Sequence, residues 1–163
     1  MKFTALILLT VLSMGVQAAG KSAFINQKDL IDKSPQAIAA RAALKEEFGA
    51  REQGLRKMAQ EIQQMEQTYQ TDSAIMSADQ KRKAEDNILQ NKRRFQFEQQ
   101  SLKEDLQNKQ RELLQKVQAT IREVIQEYGS QNGYDFIFTD TSIAYASEAV
   151  DITPQILEEL GKR

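Results

Sequence analysis

The middle of the chain constrains the fold most, because the residues between Pro35 and Tyr128 include no further proline and only two glycines. This segment is rich in Ala, Glu, Gln, Lys, Arg, Leu and Met, which favour helices. Ser34-Pro35 is typical of an N-cap followed by proline at the first helical position. The sequence therefore predicts that most of the chain is helical.

The spacing of apolar residues indicates how these helices pack. In the first half of the segment the spacing is that of a coiled-coil seam, interrupted at Arg51. The seam residues there are Leu44, Phe48, Leu55, Met58, Ile62, Met65 and Tyr69. Those of the second half are Ile88, Phe95, Leu102, Leu106, Leu113, Val117, Ile121, Val124 and Tyr128. Between the two halves, Ser77 and Gln80 form a predicted capping box. We expect an antiparallel hairpin, an arm over residues 35–128 with its tip near 71–79, and Gly129 as a C-cap.

The first eighteen residues have the pattern of a secretory signal peptide. Met1-Lys2 supplies a positive start, Phe3 to Met14 carries no charge, and small residues stand at Val16 and Ala18. The apolar stretch is shorter than the roughly 20 residues that a membrane-spanning helix needs. We expect cleavage after Ala18.

The remaining mature residues, 19–34 and 129–163, are left to form a small body. Ala23–Ile25, Tyr134–Thr139 and Ile143–Ala146 are predicted strands. Thr153-Pro154 repeats the arrangement of Ser34-Pro35, so Thr153 is the predicted N-cap of a closing helix. Because about fifty residues do not build a robust core alone, we expect identical subunits to complete it. The predicted fold class is α+β, mainly α: a long coiled-coil hairpin on a small oligomerisation body.

The composition argues against catalysis. The chain has no Cys and no His, which removes thiolate chemistry and the commonest general base and metal ligand. Asp135, Asp140 and Asp151 lie near strand ends and turns, where such carboxylates usually accept backbone hydrogen bonds. No Gly-rich phosphate loop and no EF-hand spacing is found. We therefore expect no catalytic residue, no cofactor, no metal site and no enzyme activity.

The whole mature sequence resembles the Skp (OmpH-like) family of periplasmic chaperones. The segments that carry the resemblance, besides the signal peptide, are Ala23–Asn26, Leu44–Phe48, Leu55–Met58, Asp135–Asp140, Ala144-Tyr145 and Asp151–Thr153. The resemblance implies a jellyfish-like homotrimer with a barrel-like hub and three arms around a cavity. It also implies a periplasmic holdase that keeps unfolded outer-membrane β-barrel proteins soluble without nucleotide.

Two groups of arm residues are candidate contacts. The first is a set of apolar residues off the main seam, expected to touch the unfolded client weakly and at many points. Its members are Ile75, Met76, Leu89, Phe97 and Leu114. The second is a basic cluster near the tip, a candidate contact for anionic lipid or lipopolysaccharide. Its members are Lys81, Arg82, Lys83, Lys92, Arg93 and Arg94.

The charge balance departs from the family pattern. Well-known members are markedly basic, whereas the expected mature chain has a net charge of −2, since removing Lys2 leaves 21 basic and 23 acidic residues. No aromatic stacking platform accompanies the basic cluster, so we expect no nucleic-acid partner. Two alternatives to a holdase remain open: an exported coiled-coil spacer between envelope layers, and a peripheral lipid-binding protein.

Overall fold

The computed structural model describes residues 20–141 and 143–163. The predicted signal peptide and its cleavage position after Ala18 lie outside these residues. The helices and strands follow one another in this order: β1 (Ser22–Ile25), α1 (Gln27–Lys33), α2 (Pro35–Asp72), α3 (Ala78–Gln131), β2 (Phe136–Thr139) and α4 (Thr153–Gly161).

Helices α2 and α3 form the long hairpin. They contain 38 and 54 residues, which corresponds to about 57 Å and about 81 Å at 1.5 Å per residue. The predicted cap of α2 is confirmed, since Ser34 Oγ accepts from the Ala37 amide at 3.3 Å. The predicted capping box of α3 is also confirmed, because Ser77 Oγ and Gln80 Oε1 each accept from the other residue's amide. These caps fix where the chain turns, through a 3₁₀ turn at Ser73–Ile75.

The predicted seam holds the two helices together. All its residues are buried or half-buried, with Phe48, Ile62 and Leu102 among the buried ones. At the interruption, Arg51 Nη1 forms an ion pair with Asp105 Oδ2 across the hairpin at 2.8 Å. The Arg51 guanidinium also lies 5.9 Å from the centre of the Phe48 ring. A polar pair thus replaces an apolar contact at this level.

The small base is built on a parallel pair of strands. Within the part of the chain that the structure describes, β1 pairs with β2 in the register Ala23↔Ile137. On its other side β1 forms the bridge Phe24↔Asp151, where the Ile152 amide donates to the Phe24 carbonyl at 2.9 Å. The core joins β1, α1, α4 and the base ends of α2 and α3. Its buried residues are Ala23, Ile25, Leu30, Ala37, Val117, Ile121, Val124, Ile152, Ile156 and Leu160.

Three local predictions for the base are wrong. Residues 143–146 are irregular and lead into a 3₁₀ turn at Glu148–Val150, so the third predicted strand does not form. Thr153 is the first residue of α4 and not its N-cap, which is Ile152. The Thr153 hydroxyl accepts from the Asn26 amide at 2.8 Å. Gly129 is not the C-cap of α3, which continues to Gln131. Gly129 is buried, and a Cβ added there would lie only 3.0 Å from Ile137 Cδ1, so a larger residue would be crowded.

The prediction for the three aspartates is confirmed. Asp135 accepts from the Lys21 amide at 2.7 Å, and Asp140 from the Gln27 amide at 3.0 Å. Asp151 accepts from the Thr153 amide at 2.8 Å. Asp135 and Asp140 therefore tie the two ends of β2 to the residues on either side of β1, whereas the Asp151 contact is local to the start of α4.

Candidate functional site

Most of the off-seam apolar residues lie on the surface of the arm. The exposed fractions are 88% for Ile75, 71% for Phe97, 46% for Leu89 and 44% for Leu114. Met76 is half-buried beside Ile75 at the turn. The three residues of α3 are separated along the helix axis by about 12 Å and about 26 Å at 1.5 Å per residue. The structure therefore distributes them along the arm and does not gather them into one patch.

An apolar cleft that was not predicted from the sequence lies between α2 and α3 near the tip. Its volume is about 330 Å³, and its lining residues are Glu61, Gln64, Met65, Thr68, Tyr69, Met76, Ala84, Asn87 and Ile88. One feature of the sequence does indicate the cleft. Ala84 precedes the seam residue Ile88 by four positions, so a small side chain stands on the seam face where a large one would fill the space.

Tyr69 is held in position at this cleft. Its hydroxyl donates a hydrogen bond to Glu85 of α3. This hydrogen bond to the carboxylate raises the pKa of Tyr69 above its ordinary value. The hydrogen bond therefore joins the two helices, and Tyr69 lines the cleft at this level.

The basic cluster is divided by the fold. Arg82 forms an ion pair with Asp79 at 2.5 Å, and Lys92 pairs with Glu66 of α2. Within residues 20–141 and 143–163, the other four basic side chains have no acidic partner within 4 Å; they are Lys81, Lys83, Arg93 and Arg94. Because α2 also brings acidic residues to this end of the hairpin, the tip is less positive than its α3 segment alone indicates.

The base carries exposed aromatic side chains. Phe136 and Phe138 of β2 are 60% and 40% exposed, and their rings stack with centroids 6.0 Å apart. Tyr145, in the irregular segment that follows, is 82% exposed. Among the described residues, β2 is paired along one edge only, with β1. An aromatic face and a strand edge thus lie together at the base.

Neither a metal centre nor a membrane span is found in the described part of the chain. Across residues 20–141 and 143–163, His, Cys, Asp and Glu side chains form no group of three or more suited to a metal ion. In the same residues, no helix combines the length and apolar character needed to cross a bilayer.

A long two-helix arm rooted in a small α/β base defines a class of coiled-coil hairpin proteins. Residues 21–160 match the family described as outer membrane protein (OmpH-like), and the chain belongs to that family.

Similar proteins extend over nearly the whole chain. "Chaperone protein Skp" from Pectobacterium atrosepticum is 28% identical over 94% of this chain and 93% of its own length. The protein of the same name from Yersinia enterocolitica is 28% identical, over 91% of this chain and 90% of its own length. The crystal structure of an OmpH-like protein from Caulobacter crescentus covers 90% of this chain and 86% of its own, with a TM-score of 0.79 and 14% identity. The recognised family and the arm-and-base fold are thereby confirmed.

Proposed function

We propose that this protein is an ATP-independent periplasmic holdase that binds unfolded outer-membrane proteins and prevents their aggregation. The observation that carries the proposal is the set of large apolar side chains left exposed along the arm, Ile75 and Phe97 above all. The relatives named as chaperones support it, as does their similarity along the whole chain. In this proposal residues 1–18 are a signal peptide that is cleaved after export.

The proposed mechanism is shielding and not catalysis. Residues 35–128 serve as the arm, while residues 19–34 and 129–163 serve as the trimerisation body. Three arms around one client supply many weak apolar contacts at high effective concentration. The contacts keep the apolar strands of one client away from those of another, which prevents edge-to-edge pairing. No reaction is required, so the protein acts without cofactor or enzyme activity.

Removing the exposed apolar side chains tests this function. With Ile75, Met76, Leu89, Phe97 and Leu114 all changed to Ser, we expect that about tenfold more protein is needed to suppress aggregation of a denatured porin, a loss of about 1.4 kcal/mol in binding. The loss follows because each contact no longer buries apolar surface. Light scattering measures the aggregation, and circular dichroism verifies the helix content.

The matched control changes five exposed arm glutamines, Gln53, Gln90, Gln96, Gln99 and Gln107, to Ser. This control should suppress aggregation as the unaltered protein does. Equal suppression by the apolar variant would refute the assignment of these residues. Failure of the unaltered protein at stoichiometric amounts would favour the structural spacer instead.

A second candidate activity is attachment to anionic lipid or lipopolysaccharide through the four unpaired cations Lys81, Lys83, Arg93 and Arg94. Changing all four to Ser should abolish most co-sedimentation with phosphatidylglycerol vesicles at low salt. Binding by the unaltered protein should fall steeply as salt is added, because attraction between exposed charges is screened.

The control for lipid binding changes four other exposed cations of the arm, Lys45, Arg56, Lys57 and Lys103, to Ser. If both variants lose binding equally, general charge is responsible and not the tip. If binding by the unaltered protein is the same at low and high salt, the attraction is not electrostatic.

A further inference from the structure

We propose that the cleft near the arm tip binds a bulky apolar side chain of an extended, unfolded polypeptide, whose backbone lies along a row of glutamines on α2. The inference rests on the proposed holdase function and names a specific contact for it. It adds a defined subsite to the scattered exposed residues described above.

The floor of the cleft is apolar because the seam is incomplete there. Met65 and Ile88 are seam residues of the two helices, and Ala84 leaves space between them. Met76 closes the end of the cleft at the turn. The resulting volume of about 330 Å³ is at the lower end of the range for binding cavities, about 300–1,000 Å³.

The side chains around this space can adapt to different occupants. Met65 and Met76 have flexible, polarisable thioethers that fit varied apolar groups. The Tyr69 ring, fixed by its hydrogen bond to Glu85, supplies a rigid aromatic surface. Ile75, 88% exposed and next to Met76, extends the apolar surface beyond the cleft. Such a site favours hydrophobic side chains as a class without requiring one particular residue.

The rim is formed by neutral amides. Gln64 and Asn87 line the cleft, one from each helix. Gln60 and Gln67, four residues before and three after Gln64, lie on the same face of α2 and are exposed. Within the described residues, the side chains of these three glutamines form no hydrogen bond with other protein groups. Each therefore offers one acceptor and two donors, the same groups that complement a peptide backbone.

Charge favours a polypeptide over an anionic lipid as the occupant. None of the nine lining residues is Lys or Arg, and one of them, Glu61, is acidic. The lining therefore supplies no cation to bind an anionic headgroup, whereas an uncharged strand segment needs none.

The test is to fill the cleft. The probe is a fluorescein-labelled synthetic peptide in which Val and Tyr alternate with Ser and Thr. We expect Ala84→Phe to weaken peptide binding about tenfold, the effect of losing about 1.4 kcal/mol. Ala59→Phe, at an exposed position of α2 outside the cleft, is the matched control and should bind within about twofold of the unaltered protein. Fluorescence anisotropy measures binding, and circular dichroism verifies that both variants keep their helix content.

A second measurement applies even if Ala84→Phe disturbs the arm. A photo-crosslinking benzoylphenylalanine at position 64 should label the peptide, whereas the same group at position 53 should not. Labelling of a second copy of the chain or of added phosphatidylglycerol vesicles, in place of the peptide, would overturn the proposal.

Porin aggregation separates the two proposals. If the unaltered protein suppresses aggregation while Ala84→Phe binds the peptide normally, the cleft proposal fails and the holdase function stands. If the unaltered protein does not suppress aggregation but the peptide binds and Ala84→Phe weakens it, the cleft stands as a peptide site and the holdase function fails.

Discussion

Replacing Leu30 by Ala should lower the free energy of unfolding by about 3 kcal/mol, within the usual range for a fully buried leucine. The Leu30 side chain is 0% exposed and belongs to the core that joins α1 to α3 and α4. Its removal leaves a cavity that the surrounding helices cannot close. Urea unfolding followed by circular dichroism at one fixed protein concentration measures the change, since the proposed assembly would make stability depend on concentration.

Leu114→Ala is the matched control, because it makes the same chemical change at a position that is 44% exposed on the arm. It should cost less than about 1 kcal/mol, as surface changes usually do. Equal losses for the two variants would show that the core of the base does not dominate stability.

Changing both Phe136 and Phe138 to Asp should convert the proposed trimer into single chains. The two rings are exposed and stacked on β2, whose outer edge has no partner among the described residues. If copies of the chain assemble there, two carboxylates would be buried without a compensating charge, and each costs several kcal/mol. Sedimentation equilibrium measures the mass, which should fall to that of one chain, and suppression of porin aggregation should fall with it.

Leu89→Asp places a charge on an exposed apolar residue of the arm and serves as the control. Its native mass should equal that of the unaltered protein. A double variant that retains the full native mass would place the subunit interface elsewhere. A mass of one chain for the unaltered protein would refute the trimer itself.

The hairpin could be predicted because its signals are local. Ser34, Ser77 and Gln80 cap their helices through neighbours three residues away, and the seam is read from a period of 3.5 residues. Each of these features depends on residues close together in the sequence. The structure contains both predicted caps and the predicted seam.

The features that were missed depend on contacts between distant residues. The segment 143–146 has a strand-like composition, yet the free side of β1 is taken by Asp151. Gly129 looks like a cap until Ile137 is known to pack against it. The positive charge counted on α3 is partly cancelled because α2 brings Glu66 to Lys92. The cleft likewise requires both helices, since Ala84 alone does not reveal what faces it.

Because β1 pairs directly with β2, the arm can change its length without altering the contacts of the base. The two strands are adjacent in space, and the hairpin of α2 and α3 lies between them in the sequence. Adding one heptad to each helix at facing positions would extend the reach by about 10.5 Å while leaving every contact at the root in place. Paired insertions and deletions can therefore change the length of the arm independently of the base that anchors it.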